Sequence, residues 1–271
     1  MRWCAVALIL LVLSGTLSAT DQLAEARRLY NLGQYEMAER LAREAAALPA
    51  KSDAARVVLG RIQLERYRQS SDPKDLVTAR ESLKLVDPGH LDASERVELA
   101  IGLAEALYLE GHYGAAASMF ESVRQRSAIL GGPAHERVLD WWATSVDRYA
   151  QKLPSDERTA IYQMVLRRME EEIAEYPGST AAGYWLAAAA RASGNLERAW
   201  HEAMASWLRA TLAEDRGAAL RSDLDRLVTQ AIIAERAAKT ASTATPRTDP
   251  KEAQAAMLQD WEAFKRQWAK R

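Results

Sequence analysis

The sequence predicts an all-α protein, an α-solenoid of antiparallel helix pairs. Three observations carry this reading. Ala, Leu, Glu, Arg and Gln, all strong helix formers, dominate the body of the 271-residue chain. Alternating runs of Val, Ile, Thr and aromatic residues are missing, so a sheet has little to build on. One turn pattern, Gly-x-(Tyr or Leu)-x-x-Ala, recurs three times between helix-forming stretches.

The first element is a leader. Met1, Arg2 and Trp3 give a short positive start, Cys4 to Leu13 is an unbroken apolar run, and Leu17-Ser18-Ala19 ends in a small residue. This is the layout of a cleaved secretory signal over residues 1–19. The apolar run is too short for a bilayer span, which needs about 20 residues. The rival reading is an uncleaved membrane anchor. Cleavage would remove Cys4, the chain's one cysteine, and leave no thiol, disulfide or thiolate metal site. Neither asparagine lies in an N-x-Ser/Thr sequon, which fits a bacterial periplasm. The predicted location is therefore periplasmic or secreted, with no integral span once the leader is gone.

A repeat domain follows over 20–238. Its turns read Leu32-Gly33-Gln34-Tyr35-Glu36-Met37-Ala38, Glu110-Gly111-His112-Tyr113-Gly114-Ala115-Ala116 and Ser193-Gly194-Asn195-Leu196-Glu197-Arg198-Ala199. The Gly ends one helix where a left-handed residue is needed. The Tyr or Leu tucks under the turn. The Ala opens the next helix where only a small side chain lets the two approach. Two further pairs fill the gaps: Ala54 to Gln69 with Leu76 to Val86, and Ala134 to Gln151 with Glu157 to Tyr176. Ala79 and Ala160 are their close-approach residues. Asp92-Ala93-Ser94-Glu95 is a capping box, and Ser179 is a fresh N-cap. Val138, Trp142, Val146 and Tyr149 share one helix face. One more amphipathic helix, Gly217 to Ala238, covers the end of the array with Leu220, Leu224, Leu227, Ala231 and Ile232 inward.

These turns resemble the tetratricopeptide repeat, a helix–turn–helix unit of about 34 residues. Ala26, Tyr35, Ala38 and Pro49 match its positions in the first copy. Ala104, Tyr113, Ala116 and Phe120 match in another, and Ala187, Leu196 and Ala199 in the last. The match is degenerate: the family's leading Trp is absent, and the spacing is nearer 40. The resemblance implies an extended face lined by the first helix of each repeat, able to bind a protein or peptide. By motif alignment that face carries Arg27, Tyr30 and Asn31, then Glu105 and Tyr108, then Tyr184 and Arg191. Tyr and Arg supply area with polar tips, as recognition surfaces do.

Lys239 to Pro250 reads as a flexible linker. A C-terminal amphipathic helix follows over 251–271. Met257, Trp261, Phe264 and Trp268 form a single apolar seam on it, and Lys265, Arg266, Lys270 and Arg271 gather at its end. Three fates are open to this helix: it folds back on its own array, docks on a partner, or lies on a membrane surface.

The chain offers little chemistry. Net charge is −1 with both signs interspersed, which argues against a basic field for nucleic acid. His90, His112, His135 and His201 are dispersed and read as surface histidines. His201-Glu202 resembles the first half of a zincin motif, but Ala205 stands where the second His belongs. No phosphate loop and no nucleophile elbow occur. No catalytic, cofactor or metal residue is assigned and no cofactor is expected. The function expected is a non-catalytic protein–protein interaction module or scaffold of the cell envelope. The alternative is an accessory or regulatory domain of a cell-wall or secreted enzyme.

Overall fold

The computed structural model describes residues 19–213, 215–243 and 249–269. The leader read over 1–19 lies outside these, apart from Ala19, which opens the first helix; Lys270 and Arg271 also lie outside. The chain is all-α: helices pack on their chain neighbours as in an α-solenoid, and no strand occurs among the described residues. Its contacts divide it into two compact units, with the division after Gly102.

The first unit holds α1 (Ala19–Asn31), α2 (Tyr35–Ala46), α3 (Ser52–Ser70), α4 (Pro73–Lys84) and the first part of α5 (Ala93–Leu109). α1 packs on α2, α2 on α3 and α3 on α4, and α1 also meets α3. The second unit holds the rest of α5, α6 (Tyr113–Arg124), a 3-10 turn Ser127–Leu130, α7 (Gly132–Ala150), α8 (Ser155–Glu175), α9 (Thr180–Ala192) and α10 (Leu196–Arg209). α11 (Ala218–Leu227) runs through a π turn, Val228–Ile232, into α12 (Ile233–Thr243), and α13 (Pro250–Trp268) is last. Here α6 to α10 pack in succession, α9 also lies against α7 and α11, and α13 packs on α12. No helix among the described residues is long and apolar enough to cross a membrane.

The three repeated turns are the same object. Gly33, Gly111 and Gly194 take φ of +72°, +82° and +80°. The next residue's N–H reaches back five residues: Gln34 to Leu29, His112 to Leu107 and Asn195 to Ala190, at 2.9, 2.9 and 3.0 Å. The glycine's own N–H bonds the carbonyl three back, to Tyr30, Tyr108 and Arg191. That bond pair is a Schellman motif, and it satisfies carbonyls the helix end leaves unpaired. In the first two copies a Tyr pair closes the turn at the same 57° tilt, Tyr30 on Tyr35 and Tyr108 on Tyr113. The capping box also forms in full: Glu95 N–H donates to Asp92 Oδ1 at 2.8 Å, and Asp92 N–H to Glu95 Oε2 at 3.0 Å. Ser179 accepts from Ala182 N–H.

Four of the five expected close-approach alanines, Ala38, Ala79, Ala116 and Ala199, are fully buried. Ala160 is not; it is exposed. α8 turns Tyr162, Val165, Leu166 and Met169 inward instead, and side chains of that size need no alanine contact. Tyr149 also departs from expectation. It is exposed, and Ala150 takes the buried place after Val146. The Tyr149 ring lies over Gly114, where a Cβ would come within 3.2 Å of it. Residues 239–243, read as the start of a linker, are helical instead, because α12 continues through Thr243; 244–248 lie outside the described residues. Asp249 already caps α13, accepting from Lys251 N–H.

Candidate functional site

In the first unit, the residues expected to face a partner are engaged within the unit. Arg27 donates through Nε to Glu98 at 2.9 Å and through Nη2 to Glu95 at 3.1 Å. Glu95 thus caps α5 with one oxygen and holds α1 with the other. Tyr30 is buried, with the Arg61 guanidinium 4.7 Å from its ring centre. Arg61 in turn lies 3.9 Å from Glu98. Asn31, at the end of α1, is exposed. Tyr30 therefore offers far less surface than the motif alignment suggests, because the Arg61 cation covers its face.

In the second unit Glu105 is buried and Tyr108 partly exposed. The Tyr108 ring meets Trp141 of α7 edge-on at 4.8 Å, and its hydroxyl bonds Arg148 one helix away. Tyr184 stands half-buried on α9, edge-on to Trp185. Burial, and then the carboxylates of Asp223 and Asp140, push its phenol above the usual tyrosine range. Trp185 is itself buried and fixed by its indole N–H, 2.8 Å from Asp140 Oδ1. Tyr162 donates to Asp147 at 2.7 Å, a second link from α7 to the helices beside it. Arg191 is held by Glu235 of α12 through its Nε, at 3.0 and 3.1 Å. Packed side by side, α7, α9 and α11 thus present a partly exposed Tyr184 among Asp140, Asp147 and Asp223.

The C-terminal seam folds back on its own unit. Trp261 is completely buried, and its ring meets Trp207 and Trp200 of α10 edge-on at 5.4 and 5.8 Å and stacks on Phe264. Its indole N–H and Lys265 both bond Asp225 of α11. Met257 is half-covered, Phe264 is buried, and Trp268 is 52% exposed, so the seam runs on past its cover.

His135 is not the surface residue that its scattered position suggests. It is buried, with Nδ1 2.7 Å from Ser127 Oγ and Nε2 2.8 Å from Glu172 Oε1. A polar side chain is tolerated there because both ring nitrogens are bonded. Among the described residues, no group of three or more His, Cys, Asp and Glu is placed to hold a metal ion.

Sequence reading does not single out Trp200, Trp207, Asp140, Asp223 or Asp225. The two tryptophans carry a signal, since they stand seven residues apart on one face of α10. The aspartates carry none, because their partners lie on other helices. In comparisons with known proteins, no family model matches the chain, and no curated protein or solved structure matches it to a significant degree.

Proposed function

We propose that this chain is a non-catalytic interaction module of the bacterial cell envelope. It would be exported by the leader over 1–19 and bind a segment of a partner protein on the face of α7, α9 and α11. The tetratricopeptide-like turns motivate the class of function, and the leader motivates the compartment. One observation favours this face over its counterpart in the first unit. Tyr184 stays partly exposed beside Asp140 and Asp223, whereas Tyr30 is buried and Arg27 is engaged by two carboxylates. A rigidly based, partly exposed tyrosine is a good recognition group, giving area at low entropic cost. Trp185, buried behind it and tied to Asp140, supplies the rigid base.

The test is site-specific photo-crosslinking in cells. A photoreactive residue replaces Tyr184, Tyr108 or, as a control, the exposed Gln163 of α8. Discrete adducts at 184 and 108 but not at 163 support the reading. Adducts equal at all three positions, or none at any, end it. The export part is tested separately, by sequencing the N-terminus of the protein recovered from the envelope fraction.

A further inference from the structure

The contacts of His135 bear on its proton count. Ser127 Oγ, fully buried, donates its one hydrogen to the Arg124 carbonyl at 2.6 Å. With that bond made it accepts toward the ring, and Nδ1 then carries a hydrogen. Nε2 faces a carboxylate oxygen of Glu172, which accepts and does not donate when ionised, so Nε2 carries one too. With both bonds made in this sense the ring is an imidazolium with both N–H groups spent. This also separates the trio from a hydrolytic one. A serine nucleophile gives its proton to the imidazole, whereas this serine bonds the Arg124 carbonyl and is closed off from solvent.

We propose that His135 is a proton-operated clasp on the α6–α7 connector, holding residues 125–131 closed while its ring carries two hydrogens and releasing them when it loses one. The neutral ring keeps both neighbours only if Ser127 turns its hydrogen from the Arg124 carbonyl to Nδ1. If Nδ1 loses its hydrogen, two lone pairs face each other unless Ser127 swings its hydroxyl away from Arg124. If Nε2 loses it, a lone pair faces the carboxylate. The first loss therefore costs the Ser127–Arg124 bond inside the connector, and the second costs the bond to Glu172. The Ser127 end is the weaker one, because it sits on a short 3-10 turn whose next residues, Ala128 and Ile129, are exposed.

The surrounding charges bear on the balance. From α6, Arg124 lies 3.8 Å from Glu172 and 3.6 Å from Glu121, and opposes the positive ring. From α8, Glu172 favours it, Arg168 is turned to Glu121 and Glu171, and Tyr176 lies 6.0 Å from the ring centre. On α7 itself Glu136 favours it, while accepting from Thr180 and Ala181 of α9. The bond to Glu172 outweighs burial and holds the imidazole above the usual histidine range. The clasp is therefore fully closed below about pH 6.5, the ordinary histidine value, and weakens as pH rises through the higher folded-state midpoint.

The test uses the full chain labelled at histidine, with the His135 ring titrated by NMR and backbone amide protection of 125–131 followed across the same pH range. The expected midpoint lies above about 6.5. Corrected for the intrinsic base dependence of exchange, opening of 125–131 should rise as pH passes that midpoint. The rise is about tenfold per pH unit by which the midpoint exceeds the ordinary value. Glu172→Gln should lower the midpoint and carry the onset of opening down with it. A native midpoint at or below the ordinary value overturns the proposal. So does opening that stays flat with pH, or an unchanged pH response in His135→Gln. Should His135→Gln fail to fold, the direction of the Glu172→Gln shift decides.

Discussion

Trp261 donates its indole N–H to Asp225 Oδ1 at 2.9 Å, across 36 residues of chain. Lys265, one turn further along α13, meets the same oxygen at 2.6 Å. The buried tryptophan of the C-terminal helix is thus anchored by its one polar atom, and its ring fills the space between Trp200, Trp207 and Phe264. A buried indole needs both halves of this arrangement, apolar packing for the ring and an acceptor for the N–H.

Trp261→Ala should therefore destabilise the second unit by about 3–5 kcal/mol, the range for removing a buried Trp or Phe. Trp261→Phe should cost less, since most of the ring contacts survive and only the bond to Asp225 goes. Urea denaturation of the two variants checks this. Equal midpoints for Trp261→Ala and the native chain would mean that α13 contributes nothing as a cover.

The same anchor has an acid limit. Burial works against the charged form of Asp225, but the bonds from Lys265 and Trp261 outweigh it and hold the carboxyl below its ordinary value. A depressed folded-state pKa stabilises at pH values above the unfolded one, about 3.9. That stabilisation is lost as pH falls through the folded value. Acid titration followed by tryptophan fluorescence should show α13 loosening below about pH 4. Asp225→Asn should remove that acid limb, and an unaltered acid limb would refute the assignment.

Arg27→Met should cost roughly 1.5–3 kcal/mol, the range for hydrogen bonds to charged groups. It leaves Glu95 and Glu98 facing each other across one turn of α5 with a principal cation gone. Arg28→Met is the matched control. Arg28 is exposed and pairs only locally with Glu25, so its loss should cost about 0–1 kcal/mol. Thermal melts of both variants distinguish the two roles.

Ala199→Leu should destabilise by about 1–3 kcal/mol, because the added carbons have no room where α10 meets α9. Ala160→Leu, at an exposed site, should stay within about 0.5 kcal/mol. The opposite ranking would restore Ala160 as a close-approach residue.

These contrasts mark what was legible in the sequence. The turns at Gly33, Gly111 and Gly194, the Asp92–Glu95 box and the Trp261 seam are local patterns. Each is written within a few residues, and the backbone follows it. Ala160 and Tyr149 misled because a buried stripe drifts around its helix, and a one-residue error exchanges inside for outside. Arg27 with Glu98, His135 with Glu172 and Trp261 with Asp225 join residues tens of positions apart. Which of many arginines, histidines or aspartates meet depends on how far each helix is rotated against the next, and no local signal records that.

The π turn at Val228–Ile232 bears on how this chain tolerates changes in length. A π turn is what one surplus residue leaves in an α-helix. Buried positions step by four through Leu220, Leu224, Val228 and Ile232, then restart at Ile233 and continue to Ala237 and Ala241. The extra residue is absorbed on the spot, and the apolar side is not turned away. Losing exposed Gln230 should let the helix close into ordinary α geometry with α12 still facing the same way. Losing Ser222, upstream, would instead swing everything beyond it by about 100° and carry the seat of α13 out of reach. A deletion in this helix is thus neutral within the π turn and ruinous ahead of it.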